Sequence, residues 1–311
     1  MPKRHDTLIC ISEERRARAG DASVETMPQY DLHTHTVHSD GTLSPSELVR
    51  RAHSGGVAVL ALTDHDITSG IDEARLAAQV AGIVLVPGVE ISVSWAEQTL
   101  HVVGLGIDPH TPSLQAGLAE HLEFRDWRAV EIGRRLERRG VPDACAGARA
   151  LARGVLVSRT HFAQYLVASG HASDQRAAFS KYLSRGKPGY VPGQWASLPQ
   201  ALEWIHAAGG QAVLAHPARY KLSATKLQQL LAEFRDAGGE AIEVVSGSHS
   251  RDDCLRFAML AGHFGFLASC GSDYHGPEMP WIDLGRLPPL PETCRPVWAG
   301  WPADRLPYPP L

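Results

Sequence analysis

Three short, widely separated segments of the sequence concentrate histidine and aspartate residues. They are Asp31-Leu32-His33-Thr34-His35 with Asp40 close behind, Thr63-Asp64-His65-Asp66, and Gly271-Ser272-Asp273-Tyr274-His275. Neutral imidazoles and carboxylates are common protein ligands of divalent cations, and a cation-bound water can act as a nucleophile near neutral pH. These segments therefore predict a site that holds several divalent cations, provided that the fold brings them together.

The spacing and the position of these residues favour one shared site. Side chains alternate on extended backbone, so His33 and His35 point to the same side, and Asp273 and His275 repeat that spacing. Most candidates follow a predicted strand; these are His33, His35, His65, Glu90, His216, Asp273 and His275. Because the carboxyl ends of the strands in a parallel α/β barrel face one mouth, we expect residues far apart in the chain to converge there.

Three further candidates have a structural alternative. His101 opens the predicted strand 100–105 and either approaches as another ligand or caps a strand edge. Asp40 stands in Ser39-Asp40-Gly41, which is also typical of an ordinary turn. His249 follows a predicted strand and is a candidate for the lining of the mouth. The remaining histidines lack paired acids, which favours solvated or packed side chains for His38, His53, His110, His121, His171, His206 and His263.

The composition is that of an ordinary globular protein. The 311 residues are 44% hydrophobic and 21% charged, and the 30 basic and 34 acidic side chains lack the strong positive excess of proteins that coat nucleic acids. Five scattered cysteines without a CxxC pair indicate reduced thiols in a cytoplasmic protein. No apolar run reaches the roughly 18 to 20 residues that cross a bilayer, so we expect no membrane partner.

Alternating apolar and amphipathic segments predict a β-loop-α repeat with a parallel sheet. The predicted strands are 30–33, 57–62, 83–86, 100–105, 211–215, 241–245 and 266–269. From 111 to 189 the pattern is helical, which predicts a helical cap inserted into an α/β barrel made of 27–110 and 190–286. We expect 1–26 to be a poorly ordered extension and 287–311 a proline-rich tail on the surface.

The motifs also occur in a characteristic order. Asp-Leu-His-Thr-His-Thr, Ser-Asp-Gly, Thr-Asp-His-Asp, Pro-Gly-Val-Glu, Ala-His-Pro and Gly-Ser-Asp-Tyr-His follow one another from Asp31 to His275. In this order they resemble the polymerase and histidinol phosphatase (PHP) family of metal-dependent phosphoesterases. The resemblance implies a distorted (β/α)7 barrel with two or three divalent metal ions. Mixed imidazole and carboxylate ligation suits manganese, with zinc or iron as alternatives.

The resemblance also implies how the ligands are shared. One ion would be bound by His33, His35, Glu90 and Asp273. Glu90 would bridge to a second ion held by His101 and His216, and a third would be bound by Asp40, His65 and His275.

The helical insertion resembles one subgroup of this family, which contains nucleotide 3',5'-bisphosphate phosphatases and 5'-3' exoribonucleases. The resemblance rests on the segments 157–163 and 182–192. It implies a cap that recognises the 5'-phosphate of the substrate. Arg159 at a predicted helix N-terminus and Lys187 in a Gly/Pro loop are the expected cationic contacts, with His161 assisting. The alternative for both cations is a solvated surface position.

The implied chemistry is in-line attack on a phosphoester by metal-activated hydroxide. His216 or Asp66 is a candidate proton shuttle, and Asp64 and Asp66 are expected to orient the ligand His65, which is itself a catalytic candidate. The substrate would be a nucleoside 3',5'-bisphosphate or a short 5'-phosphorylated RNA, and no obligate protein partner is evident. Two alternatives stay open: a histidinol-phosphatase-like small phosphomonoesterase, and a non-catalytic metal-stabilised binding module.

Overall fold

The strands form a nearly closed barrel. A computed structural model describes residues 28–279 and 282–302. Within them, seven strands pair in the order β1-β2-β3-β4-β6-β7-β8, and the short β5 pairs with β3. The strands are β1 (Gln29–Asp31), β2 (Val57–Leu62), β3 (Val84–Trp95), β4 (Gln98–Leu105), β5 (Ala196–Ser197), β6 (Gln211–Leu214), β7 (Ala241–Ser246) and β8 (Leu267–Gly271). The Leu32 N–H donates to the Cys270 carbonyl at 3.0 Å, which joins the chain after β1 to β8. The predicted α/β barrel is confirmed.

The sheet departs from the expected parallel arrangement at one hairpin. β4 runs antiparallel to both β3 and β6, whereas the other pairs are parallel. Ala96 and Glu97 form the two-residue turn between β3 and β4, with φ of 43° and 61°. Positive φ at both central residues is the geometry of a type I′ hairpin, and so short a turn joins only antiparallel strands. The expectation of a wholly parallel sheet was wrong here.

Helices cover the outside of the barrel and one side of its mouth. They are α1 (Pro45–Ser54), α2 (Ile71–Ala81), α3 (Pro112–Glu137), α4 (Ala144–Leu151), α5 (Arg159–Ala168), α6 (Gln175–Ala178), α7 (Leu198–Ala207), α8 (Ala224–Asp236) and α9 (Arg251–Phe264), with a π-helical turn at Phe179–Leu183 after α6. Ser44 and Glu47 form a capping box at the start of α1. None of the helices in the described ranges is long and apolar enough to span a membrane.

The helices between β4 and β5 have a hydrophobic cluster of their own. Its core includes Ile132 of α3 and Phe162 of α5, whereas Leu118, earlier in α3, packs with the barrel helices. The long helix α3 therefore links both clusters. Gly117 makes this close packing possible, since a Cβ there would lie 2.4 Å from the Trp204 ring. The boundaries 111–189 of a separate cap stay a prediction.

The described part of the C-terminal tail packs against the barrel. Val297 and Trp301 join the cluster inside the barrel, and Trp298 stacks on Tyr30 with 3.9 Å between ring centroids. The expectation of a tail on the surface was wrong for these residues, because their large apolar side chains are stabilised by burial. The predicted N-terminal extension and residues 303–311 lie outside the described residues.

Candidate metal centre and substrate cavity

Glu90 lies at the centre of a group of histidines in the barrel mouth. Its Oε2 lies 2.8 Å from His65 Nδ1 and 3.3 Å from the Nε2 atoms of both His33 and His35. Its Oε1 lies 2.8 Å from His101 Nδ1 and 3.0 Å from His216 Nε2. Glu90 is inside β3, not after a strand as predicted, because β3 continues past Pro87 to Trp95. The hairpin with β4 places His101 beside it.

All nine predicted ligands converge in this mouth. Three groups have donor atoms within 4.8 Å of one another: His33, His35, Glu90 and Asp273; His65, Glu90 and His101; and His35, Asp40, His65 and His275. The first group is the set that the family resemblance implied. The other two groups differ from the sets that the resemblance implied. His65 stands in the place of His216 in the second group, and His35 is added to the third. His216 contacts Glu90 but belongs to none of the three groups.

The donor atoms fit cations. Among the described residues, His33 Nε2, Asp40 Oδ1, His65 Nδ1, Glu90 Oε2 and His101 Nδ1 are buried and have no hydrogen-bond partner. A buried polar atom without a partner is costly, and this cost is relieved when the atom ligates a metal. The mixture of imidazole and carboxylate donors is suited to divalent transition metals.

The charges of these groups are set by their neighbours. Burial and the nearby His275 and His65 lower the pKa of His35 to about 3, and burial lowers the pKa of His101 to about 4. Although burial raises the pKa of Glu90, the histidines around it, led by His101, hold it well below its ordinary value. Although burial lowers the pKa of His33, His65 and His275, neighbouring carboxylates raise it overall, for His275 to about 9. Neutral imidazoles and an ionised carboxylate are the forms that bind cations, so these three histidines would release a proton on binding one.

A glutamate that the sequence analysis missed orients two of these histidines. Glu243 of β7 accepts a hydrogen bond from His33 Nδ1 at 2.6 Å and another from the His216 backbone N–H at 2.6 Å. A donated Nδ1 proton leaves Nε2 of His33 free to face the site, which is the usual way that proteins orient a ligating imidazole. The only signal in the sequence was one acidic residue inside the apolar strand Ala241–Ser246.

The carboxylates of Asp64 and Asp66 hold loops in place. Contrary to expectation, neither forms a hydrogen bond or an ion pair with the His65 ring. Asp64 accepts hydrogen bonds from Thr36 and Ser39, in the loop after β1. Asp66 accepts from Arg125 Nε at 2.8 Å, and His121 Nδ1 lies 3.0 Å from it. Although burial raises the pKa of Asp66, Arg125 and His121 lower it overall, so this carboxylate stays charged and paired. The geometry does not support Asp66 as a proton shuttle.

Three non-glycine residues next to the site adopt left-handed backbone. The φ angles are 51° at Asp66, 30° at His216 and 55° at Asp273. Such conformations cost of order 1–3 kcal/mol each and persist where the surroundings hold them. At His216 the hydrogen bond to Glu243 supplies such a constraint.

A cavity of about 170 Å³ opens beside the candidate metal ligands and is lined by arginines. We name Arg125, Arg128, Arg159 and Arg219 the arginine wall; all four line the cavity. Arg219 pairs with Asp273, and Arg128 donates twice to the Val191 carbonyl while lying over the Trp195 ring. Only Arg159 of the four was predicted.

Burial and neighbouring positive charges lower the pKa of two members of the arginine wall, Arg128 and Arg159. Burial and then the neighbouring Arg159 and Arg125 lower the pKa of Arg128 to about 9, and burial lowers the pKa of Arg159. Arg159 lies over the Phe179 ring and has no ion pair with a described residue within the 4.0 Å that defines one. An anion in the cavity would relieve this mutual repulsion, because an opposite charge favours the ionised guanidinium.

The other predicted substrate contacts lie elsewhere. Lys187 is exposed in its loop and does not line this cavity. His161 accepts a hydrogen bond from the Ser158 N–H and completes the cap of α5. His249 contacts two backbone groups, the Val244 carbonyl and the Ala218 N–H, and so supports the loop after His216.

The third ligand group is connected to α5. Asp40 Oδ2 accepts hydrogen bonds from the hydroxyls of Ser158 at 2.9 Å and Thr160 at 3.0 Å, while its Oδ1 faces His275 at 3.2 Å. One carboxylate thereby ties the N-terminus of the helix that carries Arg159 to the barrel mouth. No local sequence pattern indicated this link, because Asp40 lies 118 positions from Ser158.

Comparisons with known proteins agree with this architecture. The model of the PHP domain matches residues 31–246. The chain is 50% identical over 273 residues to a 3',5'-nucleoside bisphosphate phosphatase of Chromobacterium violaceum, covering 88% of this chain and 96% of that protein. It is 47% identical to the 5'-3' exoribonuclease Rnm of Escherichia coli, covering 88% and 93%. A solved structure described as an amidohydrolase from Chromobacterium violaceum, with bound sulfate and no metal, is 49% identical, with a TM-score of 0.84 over 87% of this chain and 95% of that one.

Proposed function

The chain belongs to the PHP domain family, and from this premise we propose that it is a metal-dependent phosphoesterase for nucleotides that carry a 5'-phosphate. One observation carries the proposal: three overlapping groups of cation ligands border a cavity whose wall bears four arginines. Ligands for cations and a separate anion site, side by side, suit a substrate with one phosphate to be cleaved and a second phosphate to be held.

The barrel mouth would hold two or three divalent cations, for which manganese is best suited, with zinc and iron as alternatives. When bound, such ions neutralise phosphoryl charge and activate water. The protein's own contribution is orientation: Glu90 is shared by two of the three ligand groups, Glu243 fixes His33, and α5 fixes Asp40. We assign His65 and His216 to ligation rather than to proton transfer, because both contact Glu90 closely.

We assign the 5'-phosphate to the arginine wall, with Arg159 and Arg128 as its main partners. Arg125 and Arg219 are already paired with Asp66 and Asp273, so their charge is largely compensated. A bidentate guanidinium suits a terminal phosphate well. Lys187 takes no part in this proposal because of its exposed position outside the cavity.

Two substrates fit this arrangement, and relatives bear the names of both activities. A nucleoside 3',5'-bisphosphate would lose its 3'-phosphate, and a short 5'-phosphorylated RNA would lose one mononucleotide at a time. Both reactions break the bond between phosphorus and the 3'-oxygen of a nucleotide whose 5'-phosphate is held. A cytoplasmic location and the absence of an obligate protein partner stay predictions.

The proposal is tested with the metal-loaded protein and four substrates. These are adenosine 3',5'-bisphosphate, a short RNA with a 5'-phosphate, the same RNA with a 5'-hydroxyl, and histidinol phosphate. We expect turnover of the first two and at least about tenfold lower kcat/KM for the 5'-hydroxyl RNA, because a charged hydrogen-bonded contact is worth about 1.5–3 kcal/mol. Equal use of both RNAs would contradict the 5'-phosphate assignment, and preference for histidinol phosphate would favour the small-monoesterase alternative.

A further inference from the structure

A second cavity meets the first at the metal ligands. It has a volume of about 860 Å³, and Asp40, Thr160, Phe179 and His275 line both cavities. The second cavity extends from these residues in the direction of Gln164, Arg176 and Met279. A phosphate held at the metal ligands would thus have space on two sides, the arginine wall on one and this cavity on the other.

The two cavities differ in charge. Apart from the candidate metal ligands, the charged side chains that line the second cavity in the described part of the chain are Asp174, Arg176 and Glu278, two acids and one base. The first cavity has four arginines. A terminal phosphate therefore belongs in the first cavity. The second suits a neutral nucleoside, with Phe179 and Met279 as apolar surface for a base and Gln164 as an amide for hydrogen bonding.

We propose that the second cavity binds the nucleoside that follows the scissile phosphate of a 5'-phosphorylated RNA, and that it allows one site to cleave diesters as well as monoesters. The proposal rests on the function proposed above. In a bisphosphate the scissile 3'-phosphate carries no further nucleoside, so the second cavity stays unused. In RNA the phosphoryl group continues into the 5'-oxygen of the next nucleotide, which needs a place outside the arginine wall.

The bond changes are consistent with this placement. The water oxygen forms a bond to phosphorus, the bond from phosphorus to the 3'-oxygen breaks, and the 3'-oxygen leaves with the first nucleotide after gaining a proton. The phosphoryl group remains on the 5'-oxygen of the next nucleotide. That nucleotide now carries a 5'-phosphate, so a shift by one position from the second cavity to the first presents it to the arginine wall.

Arg176 is placed for the phosphate beyond this nucleoside. Its side chain is exposed at the second cavity and has no ion pair with a described residue within the 4.0 Å limit. An exposed cation would bind a backbone phosphate weakly and with strong salt dependence, as is usual for contacts with single-stranded nucleic acid.

Narrowing the second cavity tests the proposal. In the metal-loaded Gln164→Trp variant, we expect the ratio of kcat/KM for 5'-phosphorylated RNA to kcat/KM for adenosine 3',5'-bisphosphate to fall at least about tenfold, since one base contact is worth about 1–3 kcal/mol. Gln200→Trp, an exposed glutamine of α7 that lines neither cavity, is the matched control and should keep the wild-type ratio.

Binding gives a second readout. A 5'-phosphorylated dinucleotide with a methylene in place of the bridging 3'-oxygen is not cleaved, so its binding can be measured directly. The Gln164→Trp substitution should weaken binding of this dinucleotide about tenfold more than it weakens binding of the matching bisphosphate analogue. An unchanged ratio in both measurements would overturn the proposal. So would a wild-type protein that hydrolyses the bisphosphate but no RNA, although the proposed function would stand. A protein that hydrolyses neither substrate would overturn the proposed function itself, and this inference with it.

Discussion

The barrel mouth and the arginine wall handle buried charge in opposite ways. In the mouth, several buried donor atoms among the described residues have no hydrogen-bond partner, and they surround one shared carboxylate, Glu90. In the wall, Arg125, Arg128 and Arg219 are held by a carboxylate or a carbonyl, and only Arg159 has neither among the described residues. The mouth is built to be completed by cations. The wall is a largely fixed positive surface, which we propose meets an anion mainly through Arg159 and Arg128.

Loss of the shared carboxylate of Glu90 in the barrel mouth should have the largest effect. Glu90→Gln should lower turnover on the order of 1000-fold, about 4 kcal/mol of transition-state stabilisation, because two of the three ligand groups lose the charge of their shared carboxylate. Metal content per chain and kcat should be measured together. Glu203→Gln, at an exposed position of α7, is the control. Full metal content with full turnover would show that Glu90 is not a shared ligand.

The arginine wall is tested by replacing Arg159, which has no ion pair with a described residue. Arg159→Ala should raise KM for adenosine 3',5'-bisphosphate about 30-fold, while kcat/KM for a small generic phosphomonoester changes less than about threefold, because only the former has a 5'-phosphate to hold. Lys187→Ala, a cation outside the cavity, should leave both substrates within about twofold. Equal losses on both substrate classes for Arg159→Ala would argue against the anchor.

A smaller effect should follow from altering Glu243, which orients the candidate metal ligand His33. In Glu243→Gln the acceptor of the His33 Nδ1 proton loses its charge, so metal affinity should fall about 10- to 100-fold while the ligand set stays complete. A metal titration followed by calorimetry or by competition with a chelator measures it. If affinity is unchanged and only turnover falls, Glu243 acts on the reaction and not on the ligand.

Removal of the metal should lower the thermal stability of the folded chain by a few degrees. Cations present at 100 times their Kd stabilise the folded state by about 2.7 kcal/mol, which corresponds to about 4 °C in Tm for a chain of 311 residues. Chelation should lower the Tm of the wild-type protein by that amount and readdition of manganese should restore it. The Tm of Glu90→Gln should respond much less. A wild-type Tm that ignores chelation would speak against a cation site in the folded core.

Local residue types account for what could be predicted. The predicted ligands lie in short motifs where His33 and His35, or Asp273 and His275, alternate on extended chain. The apolar runs that predict the strands are local as well. The prediction failed where a partner lies far away in sequence. Arg125 and Arg128 look like the solvated face of an amphipathic helix, and only the placement of α3 across the mouth makes them line a cavity.

Single residues could not be assigned for the same reason. Glu243 is one acid in an apolar strand, and its role depends on the loop of His216 and on His33, which lies 210 positions away. The sequence predicts Asp66 as a partner of the adjacent His65, but its carboxylate pairs with Arg125 on α3. His249 follows a strand like the ligands do, yet backbone groups satisfy both of its ring nitrogens.

Residue types and neighbours a few positions away set the donor atoms and the strand and helix periodicity, and therefore the kind of cation that suits the barrel mouth. Three features depend instead on how the chain folds: which donors share Glu90, where the four arginines face, and the second cavity beside Asp40 and His275. Those features arise from contacts between distant segments, whose energies depend on distance and burial that no local pattern records.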